Sequence, residues 1–264
     1  MTSESTHRIR LLLHYDGGAF RGWQLQPRQQ TVQGVVEAVL SRIFNAPARV
    51  VGSGRTDRGV HATGQVAVVD APLRWTPEAL LRSMNKLLPA EVWVAEASPA
   101  PPRFHPRYDA VARAYEYRVG LAARAGSPFH VRWCWPLGRE LALPAMERAS
   151  RALVGDHSFL AFAKAGQEHR GDRCIVTEAG WNRWEPLGVT FHITANRFLH
   201  HMVRYLVGTL VDVGLGRRPE HDISRLLANE PGLTTSPPAP AAGLFLVRVT
   251  YPEQALAFAP RGSP

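Results

Sequence analysis

The densest group of residues capable of chemistry lies in the stretch Val51–Asp70, which reads VGSGRTDRGVHATGQVAVVD. Four charged or titratable side chains follow its small-residue turn within seven positions: Arg55, Asp57, Arg58 and His61. A carboxylate between two arginines should stay ionised at neutral pH and be held in one orientation. An oriented, ionised Asp57 on a glycine-flanked loop suits a nucleophile or a general base. The alternative is a surface turn tied by an Arg–Asp ion pair, and this stretch alone does not decide between the two.

A second stretch, Arg113-Ala-Tyr115-Glu-Tyr117, has the alternation of a strand and sets large aromatic side chains beside an arginine on one face. An aromatic residue on a strand usually belongs to the core, and we predict that role for Tyr117. For Tyr115 the alternative is a platform for a nucleobase, because bases stack on aromatic rings whatever their sequence.

A third stretch, His200-His201-Met-Val-Arg204, lies within the longest apolar helical pattern of the chain. Because Arg204 follows His200 by one helical turn, both side chains are predicted to point away from the apolar stripe toward a polar cleft. Two adjacent histidines cannot supply two ligands from one helix face, so no metal site is predicted here.

The composition indicates a basic protein that binds a negatively charged partner. The chain has 264 residues, 45% of them hydrophobic, and its 31 Lys and Arg against 22 Asp and Glu give a formal charge of +9. That excess favours a polyanionic partner, with nucleic acid ahead of an anionic membrane. The two cysteines, Cys134 and Cys174, are too few for a disulfide framework. With no apolar run of about 18 residues and no hydrophobic signal core, the sequence predicts no membrane span and a cytoplasmic location.

Hydrophobic periodicity predicts an alternation of strands and helices. The predicted strands are 8–15, 66–69, 92–95, 108–119, a hairpin of 174–184 with 188–195, and 245–251. The predicted helices are 32–44, 77–88, 143–154, 198–215 and 222–228, with Thr31 and Thr76 as caps of the first two. The tail after Pro252 is expected to be loose.

Each half of the chain therefore mixes strands and helices, which is typical of an α+β fold with sheet faces covered by helices. The segment Ser98–Pro106 contains four prolines and is predicted to be a linker or a rigid crossover. We place the domain boundary there, with an N-terminal half of residues 1–106 carrying the Asp57 loop. The C-terminal half, 107–264, carries the Tyr115 strand and the Arg204 helix.

These stretches resemble one family closely, the tRNA pseudouridine synthases of the TruA type. The resemblance covers nearly the whole chain, in the family's order, and is carried by YDGGAFRGWQLQ (15–26), GSGRTDRGVHATGQVA (52–67), FHPRYDAVARAYEYRV (104–119), GDHSFLAF (155–162), ITANRFLHHMVRYLVG (193–208) and APAAGLFLVRVTY (239–251). The most specific parts are the segment around Asp57 and the segment that contains Arg204.

The resemblance implies conversion of uridine to pseudouridine at positions 38, 39 and 40 of the tRNA anticodon stem-loop. The reaction breaks the bond from N1 to the ribose, turns the base and rejoins it through C5. Because it is an isomerisation with no redox change and no group donor, it requires no organic cofactor. The resemblance also implies two α+β halves joined in a continuous mixed, mainly antiparallel sheet, with a central basic cleft. It further implies a homodimer in which one tRNA touches both subunits.

The resemblance also assigns roles to residues of this chain. Asp57 would be the nucleophile at the sugar or the base that starts an elimination. Tyr115 would stack on the uracil and take the C5 proton directly or through water. From its chemistry, Arg55 is a candidate to fill the space vacated by the flipped uridine or to hold Asp57 ionised, because its fork can do either. Arg204 would pair with Asp57 or a phosphate. For phosphate contact we predict a basic face and its neighbours: Arg8, Arg10, His14, Arg58 and Arg107.

Two other functions compete with this one. A basic RNA-binding protein without catalysis would explain the charge and the aromatic residues, but it gives no reason for Arg55-Thr-Asp57 between glycines. A metal-dependent hydrolase or nuclease would use Asp57 but lacks a second carboxylate or a histidine cluster close by in sequence.

Overall fold

The structure is a computed structural model that describes residues 5–164 and 171–258. Its described strands form a mixed, mainly antiparallel sheet of ten strands, accompanied by helices, so the predicted α+β class is confirmed. The chain divides into two compact units. The first unit comprises the residues up to Val111 and those from Leu246 onward, and the second unit comprises Ala112–Phe245. The domain boundary after Pro106 and the basic cleft stay predictions.

In the first unit the central strand is β1 (Thr6–Tyr15), which lies between β3 (His61–Pro72) and β4 (Val92–Pro99) and is antiparallel to both. A short strand, β2 (Val50–Gly52), pairs with β3. The alternation predicted for β1 is confirmed, because Ile9, Leu11 and Leu13 have no exposed surface. Strand β4 extends beyond its predicted end at residue 95 to Pro99, and a proline is tolerated at the end of a strand that lies at an edge.

Two helices of the first unit begin where their capping residues predict. Helix α1 (Val32–Phe44) starts after Thr31, whose hydroxyl accepts a hydrogen bond from Gly34 N, and α2 (Pro77–Leu87) starts after Thr76 in the same way. The side-chain amide of Asn85 bonds to both the N–H and the carbonyl of Val94, which fixes α2 against β4. Helix α2 is thereby held against the strand at the edge of the sheet.

The C-terminal segment of the first unit is ordered where the sequence predicted a loose tail. Residues Glu253–Leu256 form a short helix, α6, and Leu256 packs against a buried cluster that includes Val68 and Phe104. The ring of Tyr251 meets that of Phe104 edge-on, with 4.9 Å between centroids. For Glu253–Leu256 the prediction was wrong, because this apolar contact comes from residues far away in the sequence. The predicted tail also includes residues 259–264, which lie outside the described part of the chain.

The second unit is built on the predicted hairpin of β8 (Arg173–Trp184) and β9 (Gly188–Ala195), which is confirmed. Strand β5 (Ala112–Gly120) pairs antiparallel with β9, and two short strands complete this part of the sheet: β6 (Trp135–Pro136) beside β5, and β7 (Gly155–Ser158) beside β8. Helix α3 (Leu143–Arg151) is fixed on β8 by a hydrogen bond from Trp181 Nε1 to Ser150 Oγ.

The long apolar helix begins later than its sequence pattern predicts. Helix α4 runs from Met202 to Gly214, and α5 (Asp222–Leu227) and β10 (Leu244–Thr250) follow it. His201 precedes α4 with φ 64°, in the left-handed region, so residues 198–201 do not continue the helix. Among the residues described, no helix has the length and apolar character needed to cross a bilayer.

Candidate active site

Asp57 lies in the loop Ser53–Val60, which connects β2 to β3 in the first unit. The start of this loop is held by Gln65 of β3, a side chain with no exposed surface. Ser53 Oγ donates to Gln65 Oε1 over 2.7 Å, and Gln65 Nε2 donates to the carbonyl of Gly54 over 3.0 Å. The amide of Ser53 also donates to the Val66 carbonyl over 2.8 Å, so the chain enters the loop in a fixed position.

The middle of the loop is fixed at Thr56, which is buried between its two charged neighbours. The hydroxyl groups of Thr56 and Tyr15 are 2.8 Å apart, and Gln65 Nε2 lies 3.4 Å from the same tyrosine oxygen. The amide of Trp23 donates to the Thr56 carbonyl over 3.0 Å. Because Thr56 is held through its side chain and its backbone, Arg55 and Asp57 project from fixed points on either side of it.

The YDGGAFRGW segment of the sequence packs directly against this loop. A Cβ atom at Gly52 would lie 2.5 Å from the buried ring of Trp23, and one at Gly22 would lie 2.8 Å from the Thr56 carbonyl oxygen. Gly22 also has φ +102°, which disfavours any other residue. The close approach of these two segments explains the glycines at positions 22 and 52.

Arg55 is exposed, and its Nε donates to Gln24 Oε1 over 3.0 Å. Gln24 Nε2 donates in turn to Gln33 Oε1 over 2.8 Å, and Gln33 Nε2 donates to Glu37 Oε1 over 2.9 Å. These hydrogen bonds connect the Arg55 side chain to residues of helix α1. Of the remaining charged residues in the loop, Asp57 is half-buried and Arg58 is exposed.

His61, one of the four titratable residues of this sequence cluster, is 1% exposed. Its Nδ1 lies 3.1 Å from Asp16 Oδ1, in a site where the Asp16 side chain is 8% exposed. A side chain so enclosed belongs to the packing behind the loop.

Tyr115 and Tyr117 both lie on β5 in the second unit, in different surroundings. Tyr117 is fully buried and donates its hydroxyl to the carbonyl of Pro240 over 2.7 Å, which confirms its predicted core role. Burial raises the pKa of the Tyr117 hydroxyl well above its ordinary value, so it stays protonated. Tyr115 is half-buried, and its ring meets that of Phe198 edge-on with 4.9 Å between centroids.

Arg204 lies in the first turn of α4 and is half-buried. Its Nε donates to the carbonyl of Ala239 over 2.7 Å, and the Ala239 amide donates to the Arg204 carbonyl over 2.9 Å. His200 lies outside α4, which begins only at Met202, so the helical spacing assumed between His200 and Arg204 was wrong. For the same reason the two adjacent histidines, with ring centroids 4.2 Å apart, are not constrained by a helix face. That the side chains of His200 and Arg204 both point toward a polar cleft stays a prediction.

Arg8 has several hydrogen-bond partners within the fold, and its predicted phosphate contact stays a prediction. Its Nε and Nη2 bind both carboxylate oxygens of Asp70 at 2.8 and 2.9 Å, and Nη1 donates to the carbonyls of Pro102 and Phe104. Four of the five N–H donors of this guanidinium are thereby used. The hydrogen bond to Asp70 raises the pKa of Arg8 above its ordinary value. Arg107, by contrast, is exposed on the loop before β5.

The predicted site residues thus fall into two groups. One loop of the first unit contains Arg55, Asp57 and Arg58, and a different loop of the same unit contains Arg107. The second unit contains Tyr115 and Arg204. Sequence reasoning missed the residues that hold the loop, namely Tyr15, Thr56 and Gln65. A usable signal was present, because Gln65 is a polar residue directly before the apolar run Val66–Val69 of β3.

Comparison with known proteins agrees with this reading of the chain. A sequence model of the family described as tRNA pseudouridine synthase matches residues 12–109 and 149–252. The chain is similar to proteins named tRNA pseudouridine synthase A from several bacteria. It is 41% identical to that of Frankia casuarinae over 93% of this chain and 89% of the relative. It is 38% identical to that of Chlorobaculum tepidum over 94% of this chain and the whole of the relative.

Proposed function

This chain belongs to the tRNA pseudouridine synthase family, and on that premise we propose that it isomerises uridine at positions 38, 39 and 40 of the tRNA anticodon stem-loop. Membership makes it an isomerase acting on tRNA uridines. The observation that carries the finer assignment to Asp57 is the buried hydrogen-bonded support beneath its loop. A carboxylate presented from a fixed backbone position is preorganised for attack or for proton abstraction at one atom of a bound sugar.

Two routes remain open for Asp57. As a nucleophile, its carboxylate oxygen bonds to C1′ while the bond from C1′ to N1 breaks, in the manner of a retaining glycosidase. As a base, it removes a ribose proton and starts an elimination of the uracil. In both routes the uracil turns and C5 bonds to C1′. The Asp57–C1′ bond breaks as this happens in the first route, and the ribose proton returns from Asp57 in the second. The C5 proton is then lost and N1 gains one. The product is an isomer of the substrate, so we propose that no organic cofactor and no metal is needed.

The other residues act around this step. The paired uridine leaves its helix at a cost of a few kcal/mol, and Arg55 occupies the vacated space or keeps Asp57 ionised. Tyr115 stacks on the uracil and takes the C5 proton, directly or through water. Arg58, Arg107 and Arg204 bind the substrate, the first two through phosphates, which sets affinity and not the choice of site.

We further propose that the protein acts on cytoplasmic tRNA as a homodimer, with one tRNA touching both subunits. Light scattering of the protein in solution measures this directly, and a monomeric mass at working concentration would contradict the dimer.

The function is tested with tRNA labelled with tritium at uridine C5, followed by mapping of pseudouridine in the product. Tritium release with new pseudouridine at positions 38–40 is the expected result, and it should be unchanged in EDTA. Tritium release without pseudouridine at these positions would refute the site assignment, and loss of activity in EDTA would refute metal independence.

The Asp57→Asn variant tests the catalytic assignment. It keeps the shape of the side chain and removes the anion, so tritium release should fall to background. Affinity for tRNA should stay within about twofold of the wild-type value, because binding rests on phosphate contacts made elsewhere. Robust conversion by Asp57→Asn would show that another group performs the step.

A further inference from the structure

The segment Pro102–Val111 of the first unit, here called the 102–111 loop, is irregular in backbone but firmly held. Phe104 has no exposed surface. Arg8 donates to the carbonyls of Pro102 and Phe104, and the hydroxyl of Tyr251 donates to the carbonyl of Pro106 over 2.7 Å. The end of the loop is tied by the Val111 amide, which donates to the Thr250 carbonyl over 2.9 Å. The loop is therefore anchored at its start, its middle and its end.

His105 organises the tip of this loop. Its amide donates to Asp109 Oδ2 over 2.8 Å, and its ring Nδ1 lies 3.2 Å from the amides of both Arg107 and Tyr108. Because Nδ1 accepts these two hydrogen bonds, the hydrogen-bond pattern assigns the ring proton to Nε2. The imidazole thus holds the backbone on either side of Arg107 and Tyr108 in one conformation.

Tyr108 stands out from this rigid loop with 76% of its surface exposed. One side of its ring lies against His105, with 4.3 Å between ring centroids and 31° between planes. The guanidinium carbon of Arg107 lies 5.8 Å from the same ring centroid. An aromatic ring this exposed contributes little to the packing of the fold, so stability does not explain why so many hydrogen bonds fix its position.

A fixed, exposed aromatic ring beside an arginine matches the chemistry of an RNA nucleotide. A nucleobase gains about 1–3 kcal/mol by stacking on an aromatic side chain, and the arginine fork binds the phosphate next to it. Because the hydrogen bonds already fix this loop, less conformational entropy is lost when His105, Arg107 and Tyr108 make such contacts. The formal charge of +9 favours a polyanion over a neutral or basic protein partner, and the polyanion that the proposed function supplies is tRNA.

We propose that Tyr108, backed by His105, is a stacking platform for an unpaired nucleobase of the tRNA, and that Arg107 contacts the adjacent phosphate. This inference rests on the proposed function and adds to it a binding element outside the Asp57 loop. It assigns Tyr108 to affinity and not to the isomerisation step.

The experiment measures the Kd for tRNA, KM and kcat for Tyr108→Ala, Tyr108→Trp and a matched control. Tyr108→Ala should raise Kd and KM about tenfold through loss of one stacked base, with kcat within about twofold. Tyr108→Trp keeps a ring and should bind like the wild type. The control is Trp93→Ala, since Trp93 is an aromatic residue of the same unit with 55% exposure, and its affinity should be unchanged.

Two further measurements distinguish binding of tRNA at this surface from contact with a second copy of the chain. Irradiation of tRNA that contains 5-iodouridine should cross-link it to the peptide bearing Tyr108, and light scattering should give Tyr108→Ala the same mass as the wild type. A reduced mass would make this surface a contact between two copies of the chain and overturn the proposal, as would unchanged Kd with no cross-link. Because Kd is measured without turnover, the platform is tested even where the wild type forms no pseudouridine, a result that would refute only the proposed function.

Discussion

At the scale of single residues, two tyrosines two positions apart on β5 show how surroundings divide chemical roles. The hydroxyl of Tyr117 is buried, donates to a carbonyl and has a raised pKa, so it cannot exchange a proton with a substrate near neutral pH. Tyr115 is half-buried, with its ring against the edge of Phe198. Of these two tyrosines, Tyr115 is the one with a partly exposed side chain, and we expect a substrate to contact it.

Replacement of Tyr115 separates stacking from proton transfer. Tyr115→Phe keeps the ring and loses the hydroxyl, whereas Tyr115→Leu loses both. If the hydroxyl handles the C5 proton, Tyr115→Phe should cleave the glycosidic bond yet release at most a few per cent of the wild-type pseudouridine. Single-turnover analysis of the RNA measures both quantities, and full activity in Tyr115→Phe would leave Tyr115 as a stacking residue only.

Arg55 should behave differently from the surface arginines. Because we place it at the flipped base, Arg55→Ala should lower the single-turnover rate by about 100-fold, on the scale of a lost transition-state contact, and leave tRNA affinity nearly unchanged. Arg58→Ala is the matched control from the same loop and should weaken binding without a comparable loss of rate. If Arg55→Ala weakens binding in step with Arg58→Ala, Asp57 is oriented by another cation, with Arg204 the next candidate.

At the scale of elements, local sequence patterns correctly predicted features that depend on neighbouring residues, such as helix starts and the buried face of a strand. Thr31 and Thr76 accept the capping hydrogen bonds expected of them, and the alternation of β1 buries the predicted face. The start of α4 escaped prediction because apolar periodicity continues through Phe198–His201, while His201 adopts a left-handed conformation that the pattern does not encode. Similarly, the bonds from Gln65 to Ser53 and Gly54 link segments that only the folded sheet brings together.

Gln65 offers a test of the support beneath the Asp57 loop. Gln65→Leu leaves the Gly54 carbonyl and the Ser53 hydroxyl without this partner, which should cost about 1–3 kcal/mol in the free energy of unfolding. A loosened loop should also lower kcat by about 10- to 100-fold, since displacement of about 1 Å has effects of that size. KM should change by less than about threefold, because phosphate contacts are untouched.

The control is Gln26→Ala, which removes a glutamine whose amide bonds an exposed backbone carbonyl of Arg21. It should alter neither stability nor kcat. A Gln65→Leu enzyme with lower stability and an unchanged kcat would show that the support matters for folding and not for catalysis. Denaturant unfolding and single-turnover rates on both variants distinguish these results.

At the scale of the whole molecule, the charge of +9 predicts that tRNA binding is driven largely by counterion release. The logarithm of the association constant should then fall linearly with the logarithm of the salt concentration. Replacement of a phosphate-contacting arginine, Arg58→Ala or Arg107→Ala, should lower that slope by about one and weaken different tRNAs alike.

Arg8→Ala supplies the contrast in the same salt series. Because its guanidinium is committed to Asp70 and to two backbone carbonyls, its loss should lower the stability of the fold and leave the slope unchanged. A slope lowered equally by Arg8→Ala would show that this residue also faces the RNA. Affinity is measured at each salt concentration on variants first checked for folding.

The return of residues from Leu246 onward to the first unit has a consequence for synthesis on the ribosome. When Val111 emerges, the Phe104 ring still lacks Tyr251, and the cluster around Val68 still lacks Leu256. More than 100 residues must then be translated, which takes roughly 5–30 s at 5–20 residues per second. The unit whose translation begins first is therefore completed last. During that interval the loop bearing Arg107 and Tyr108 lacks its contacts with Thr250 and Tyr251.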